Sequence, residues 1–250
     1  MNLKQRLLKL LNIHQEEWWI VSRLFVLQFF QGAGIAIFYT AASSIFIEAY
    51  SINLIPYVYV ISAILLWISG SLYSYFESTL DFKKFHGRLI IFMTVSVCLW
   101  SLLLGLNLNN KIYFIMFAWF NVLYVLNNLH FWGIAATIFD LRQSKRLFGV
   151  VSAGDIPAKL LGYASASVLA TFMEPDFTII ISGVIILSSL YTWQIISRSG
   201  HIVQSHHEHT AHEHDNAIMR VINFMMRKKL VLHLAIMSVI VYCKIGRAHV

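Results

Sequence analysis

Apolar runs separated by short polar turns set the pattern of this chain. The runs cover about residues 20–47, 57–76, 89–106, 112–141, 148–173 and 177–197. Each is near or above the roughly 20 residues that carry a helix across about 30 Å of hydrocarbon. The pattern predicts an all-α membrane protein with a six-helix transmembrane bundle over residues 18–197. Before it, Lys4, Arg6 and Lys9 alternate with Leu7, Leu8, Leu10 and Leu11, so residues 1–17 read as an amphipathic segment on the membrane surface. Trp18 and Trp19 mark the interface, and Pro56 opens the second run.

After the sixth run, residues 198–229 are polar and rich in histidine. Ile218, Val221, Ile222 and Met225 fall on one side of a predicted surface helix. A seventh apolar run starts at Leu230 and stops by Lys244, too short to span, so residues 230–244 read as the start of a truncated seventh helix. The last six residues, IGRAHV (245–250), match an in-frame translation of a common sequencing adapter and are expected to be a non-native tail on a gene fragment.

Charge orients the bundle. With the N-terminus inside, fourteen basic residues fall in inside segments, among them Lys83, Lys84, Arg88, Arg142, Lys145 and Arg146. Only Lys111 falls in an outside loop, so a cytoplasmic N-terminus is expected. The chain is 58% hydrophobic and 12% charged, about half the charge of a soluble domain. The net charge of +7 is dispersed between apolar runs, which argues topology and excludes a nucleic-acid patch. The two cysteines, Cys98 and Cys243, lie in apolar runs and form no disulfide framework or metal motif. No intramembrane protease or zinc-hydrolase motif is present, so no enzyme is predicted, and no cofactor is called for.

Polar residues inside the runs are costly and usually face a bundle interior or a watery cavity. The first run holds Arg23, Gln28 and Gln31 beside Gly32 and Gly34. The fourth holds Asn121, Asn127, Asn128 and His130, and the fifth holds Asp155 and Lys159. The third and sixth hold no ionisable residue over their predicted extents, so they are expected to face lipid while the first, fourth and fifth line a cavity. The same polarity at corresponding places in each triplet is what an inverted three-plus-three repeat requires.

If the fifth helix starts at Phe148, Asp155 lies roughly 10 Å and Lys159 roughly 16 Å into the membrane. Four residues apart, they share a helix face and can pair, with Pro157 loosening the turn between them. The candidate substrate-binding residues are therefore Arg23, Gln28, Gln31, Asn127, Asn128, His130, Asp155 and Lys159. Asp140, Arg142, Lys145 and Arg146, between the fourth and fifth spans, are candidates for ion pairs that close a cytoplasmic gate. His206, His207, His209, His212 and His214 are weak metal-ligand candidates, since imidazole suits zinc, nickel and copper.

Residues 131–162, FWGIAATIFDLRQSKRLFGVVSAGDIPAKLLG, resemble the ATP/ADP translocase-like branch of the major facilitator superfamily, the bacterial and plastid nucleotide exchangers and their relatives. The likeness extends more loosely over residues 20–243. It implies a twelve-span fold of two six-span halves, of which this chain resembles the N-terminal half, the C-terminal half being a missing partner. It also implies a bacterial cytoplasmic-membrane location, with membrane lipid and a small anionic substrate such as a nucleotide as partners; the dispersed charge leaves no nucleic-acid partner expected. Two further readings stand beside it. One is a divalent metal-ion transporter with a histidine-rich cytoplasmic loop; the other is a non-transporting membrane scaffold or sensor.

Overall fold

The computed structural model describes residues 13–106 and 111–200. The expected surface helix of residues 217–228, the histidine-rich loop, the seventh helix and residues 245–250 lie outside the described residues, as do residues 1–12 of the amphipathic segment. Among the described residues the structure is all-α. Its helices are α1 (Trp18–Ala49), α2 (Ile55–Thr79, entered by a 3-10 turn at Ile52–Leu54), α3 (Phe82–Gly105), α4 (Lys111–Ile138), α5 (Leu141–Ser152), α6 (Asp155–Phe172) and α7 (Pro175–Arg198). Five of them, α1, α2 with its 3-10 lead, α3, α4 and α7, are long and apolar enough to cross a membrane. These are the features of a multi-pass membrane protein.

The ends of α1, α2, α4 and α7 fall within a few residues of the expected spans, because uninterrupted apolar runs leave no other place for the turns. Proline reinforces two starts: Pro56 and Pro175 occupy first-turn positions, where the missing N–H has no intrahelical acceptor to lose.

Two expectations need correction. The third helix begins at Phe82, not Leu89. Lys83, Lys84 and Arg88 mark a loop by charge, yet they lie on one side of a helical turn whose other side buries Phe85, His86 and Leu89. The fifth span, expected as one helix over residues 148–173, is two. The amphipathic α5 ends at Ser152, and α6 starts at Asp155 after a break at Ala153 and Gly154. Pro157 is consequently a first-turn residue of α6, not a loosened point inside a long helix, and its absent N–H costs no intrahelical bond.

The packing has α1 at its centre. α1 lies against α4, α5, α6 and α7, while α2 packs on α4 and α3 on α7. The close approaches depend on small residues, as is common between membrane helices. A β-carbon on Gly34 would fall 2.9 Å from the Ser182 carbonyl oxygen of α7, and one on Gly162 would fall 2.8 Å from the Ala33 carbonyl oxygen of α1. The third and sixth spans were expected to be peripheral. Each does expose one apolar side, with Phe92, Val95 and Leu102 of α3 and Val184 and Leu187 of α7 in the open, and on the other side α3 and α7 bury a shared face that includes Ile90, Met93, Val97, Ile179, Ile186 and Trp193. The most exposed of the five is α2, whose buried residues are Val58, Ser62 and Tyr73. Uncharged composition thus marks a helix that tolerates lipid but does not decide which helix meets most of it.

Candidate functional site

Three polar arrangements surround α1. The first is built by the start of α6. Lys159 Nζ donates to Asp155 Oδ2 at 2.5 Å, one helical turn apart, and each side chain retains 27% of its exposure. Asp155 occupies the first turn of α6, where the helix dipole favours a carboxylate. Gly32 makes room for it: a β-carbon there would stand 3.0 Å from Asp155 Oδ1. From α4, the Tyr124 ring lies 4.8 Å from Lys159 Nζ, a cation–π contact. Aromatic rings continue from there, with Phe120 beside Tyr124 and Tyr39 in contact with both Phe120 (4.4 Å) and Tyr163 (6.0 Å). A half-exposed, paired lysine therefore sits on a face formed by α1, α4 and α6 among tyrosines.

The second arrangement lies inside the bundle and is uncharged in its hydrogen bonding. Gln31, fully buried, donates its amide Nε2 to His130 Nδ1 and to Ser189 Oγ, both at 3.3 Å. With Nδ1 accepting, neutral His130 carries its proton on Nε2. Gln28 and Asn127 are also buried, each with a side-chain oxygen that has no hydrogen-bond partner. Neighbours on α1 thus serve different sides: Gln31 reaches α4 and α7, and Gly32 admits α6.

The third closes one end. Arg146 of α5 forms an ion pair with Glu17 at the start of α1, at 2.5 Å, and Gln143 Nε2 donates to the same Glu17 oxygen at 3.2 Å. Burial would raise the Glu17 pKa, but the His14 backbone N–H and the Arg146 guanidinium hold it below the ordinary value of 4.5. Arg146 is therefore the member of the expected gating group that makes an ion pair across helices. Asp140 precedes α5, its backbone N–H donating to Gln143 Oε1 at 3.1 Å. Arg142 and Lys145 are exposed on α5.

The expected substrate group is therefore divided. Gln31 and His130 meet, and Asp155 and Lys159 pair. Asn128 instead donates to the Tyr124 carbonyl of its own helix at 2.8 Å, and Asn121 bonds Ser62 of α2 at 3.0 Å. Arg23 lies 5.9 Å from the Trp19 ring near the start of α1, away from both centres. Sequence reasoning missed Glu17, the tyrosines around Lys159, and His86. Glu17 carried a signal, as an acidic residue in a basic segment just before the tryptophans; the tyrosines carried none that separates a binding ring from an interfacial one. His206, His207, His209, His212 and His214 lie outside the described residues. Among the described residues, no three His, Cys, Asp or Glu side chains gather as a metal site. No family model, no curated protein and no solved structure matches the chain.

Proposed function

We propose that the chain forms a six-span half of the major facilitator kind and, with a C-terminal half, makes up a secondary transporter that moves a nucleotide or another organic anion by alternating access. The observation that carries the reading is the lysine of the Lys159 and Asp155 pair, held half-exposed among Tyr124, Tyr163 and Tyr39. A lysine supplies a point charge to phosphate or carboxylate. Neighbouring aromatic rings supply the faces on which a base stacks. Asp155 keeps the lysine paired until an anion competes for it, so the charge does not stand alone in an apolar setting.

The helix pairing supports the inverted repeat. Exchanging first with fourth span and second with fifth turns the contact of α1 with α6 into that of α4 with α2, and both contacts are extensive. The same exchange maps the pairing of α3 with α7 onto itself. In this reading α6 crosses the membrane as the fifth span, its 18 residues reaching roughly 27 Å at 1.5 Å per residue. The Glu17 and Arg146 pair then tethers the cytoplasmic end of α1 to the segment joining the fourth and fifth spans.

The test is uptake of radiolabelled ATP by sealed membranes containing the chain joined to the C-terminal half that this reading implies, against membranes without it. Saturable uptake that ADP inhibits and uncharged adenosine does not is the expected result. Uptake no greater than the control, or inhibition by adenosine equal to that by ADP, would defeat the reading.

A further inference from the structure

His86 has no role in the proposed anion site, yet among the described residues it is a buried ring with neither nitrogen hydrogen-bonded. It lies on the second turn of α3. Buried polar groups are nearly always satisfied, so an imidazole in this condition calls for an explanation. Its ring meets that of His130 at 5.0 Å between centroids and 63° between planes, edge to face, and the indole of Trp193 lies 5.6 Å away. Trp193 also stands 6.1 Å from His130. Two imidazoles and an indole therefore pack together, buried, between α3, α4 and α7.

A second observation links this cluster to the end of α2. Gly133 of α4 separates His86 from Tyr73: a β-carbon on it would stand 3.4 Å from Tyr73 Oη and 3.5 Å from His86 Nε2. The Tyr73 hydroxyl lies 3.4 Å from Glu77 Oε1 and 3.3 Å from the Leu129 carbonyl oxygen. Glu77 is exposed, two residues before α2 ends at Thr79. Carboxyl, phenol and imidazole thus lie in order from the surface to the buried pair, with Tyr73 and His86 both beside Gly133.

We propose that His86 and His130 form a proton-binding site inside the bundle, loaded from Glu77 by way of Tyr73. A protonated Glu77 gives its proton to the Tyr73 oxygen as Tyr73 passes its own hydroxyl proton toward His86, so Glu77 loses one proton and the histidine pair gains one. The pair holds a single proton, because two imidazolium rings at this spacing repel in a low dielectric. His130 Nδ1 is already engaged by Gln31, so His86, with both nitrogens unengaged, is the receiving ring. The indole and the second imidazole offer π-faces to the cation.

Few other charges act on the pair. α2 contributes Tyr73 and Glu77, while α1 presents the neutral Gln31 and α7 the neutral Ser189 and Trp193. The ionisable groups of α7, Asp176, Tyr191 and Arg198, are an exposed ring and residues at the helix ends. On α3 itself, Lys84 and Arg88 are exposed and Lys83 is half-buried. Protonation would add charge where Gln31 ties α1 to α4 and α7, which biases that junction between two arrangements. As a coupling ion for transport, the proton rests on the transporter reading; the site itself does not.

Trp193 makes the site measurable without a substrate, since a neighbouring imidazolium quenches indole emission. In the full chain in detergent, the emission lost in Trp193→Phe is followed on acidification from about pH 8 through and below the ordinary histidine range. The expected result is quenching on acidification that is lost in a His86→Gln, His130→Gln double variant, and that develops more slowly after a pH jump in Tyr73→Phe. A flat wild-type trace overturns the proton site without needing any variant to fold. A trace that persists in the double variant also overturns it, and an unslowed jump in Tyr73→Phe overturns the path. None of these results bears on ATP uptake, and absent ATP uptake with intact quenching would remove the transporter reading while leaving the site.

Discussion

Removing Lys159 separates a substrate lysine from a mere helix fastener. Lys159→Ala deletes one i,i+4 ion pair, about 0.3–0.5 kcal/mol in an exposed helix. It also deletes the contact with Tyr124, about 0.5–1 kcal/mol. Asp155 is left without its lysine, but it keeps 27% of its side-chain exposure and sits at a helix N-terminus. Its penalty therefore falls well below the roughly 2.5–3.5 kcal/mol of a charge at the bilayer centre. The whole loss, on the order of 1–2 kcal/mol, is small beside a folding stability of about 5–15 kcal/mol, so the variant should still insert and fold. Binding is another matter. A hydrogen bond to a charged group contributes about 1.5–3 kcal/mol, which at about 1.4 kcal/mol per decade predicts ATP uptake with a roughly ten- to hundredfold weaker half-saturation. The deciding comparison is the double variant Asp155→Ala, Lys159→Ala, assayed for membrane insertion and for ATP uptake. A substrate site leaves the double variant inserted and as defective as Lys159→Ala, whereas a fastener lets it recover. Near-normal uptake by the double variant would refute the assignment.

Three further outcomes follow from the structure. Because the Glu17 pKa is held below 4.5, its pairing contributes stability that is complete above that value and is lost as pH falls through the lowered native one; a melting temperature that drops below about pH 4.5 in wild type should lose that part of the drop in Glu17→Gln. A β-carbon on Gly162 would lie 2.7 Å from Ala36 Cβ and 2.8 Å from a backbone oxygen, so Gly162→Val should lower thermal stability by at least the roughly 1–3 kcal/mol of an overpacked core. Gly70→Ala, in open space on α2, should raise stability by up to about 1 kcal/mol from helix propensity, and equal melting shifts for the two would contradict the packing.

Hydrophobic run length made α1, α2, α4 and α7 legible, since a long apolar run has little choice but to span. It failed where a helix is amphipathic at one end. Lys83 and Lys84 hid His86, although the buried residues His86, Ile90, Met93 and Val97 continue one helical face through the charged turn. The break before α6 was also written in the chain. Asp140 followed three residues later by Gln143 is an N-terminal capping signature for α5. Gly154, Asp155 and Pro157 together are start signals for a second helix. An apolar average over residues 148–173 concealed both. The pairing of Asp155 with Lys159 was legible from spacing alone, whereas the partners of Gln31 were not, because Ser189 is 158 residues away and only the fold brings it near.

The depth of the charges follows from that break. Counted from Phe148, Lys159 would sit near the bilayer centre; counted from Asp155, it is one turn into α6. One turn is about 5.4 Å, short enough for the lysine stem to carry its ammonium toward a polar boundary. This explains how the ion pair keeps partial exposure, while the polar side chains buried in the bundle's apolar core are amides, hydroxyls and imidazoles. Groups that are neutral or can become neutral tolerate the interior at lower cost than fixed charges. The proposed anion centre therefore lies where a charged ligand could reach it, and the proposed histidine site among the described residues would gain charge only by taking up a proton.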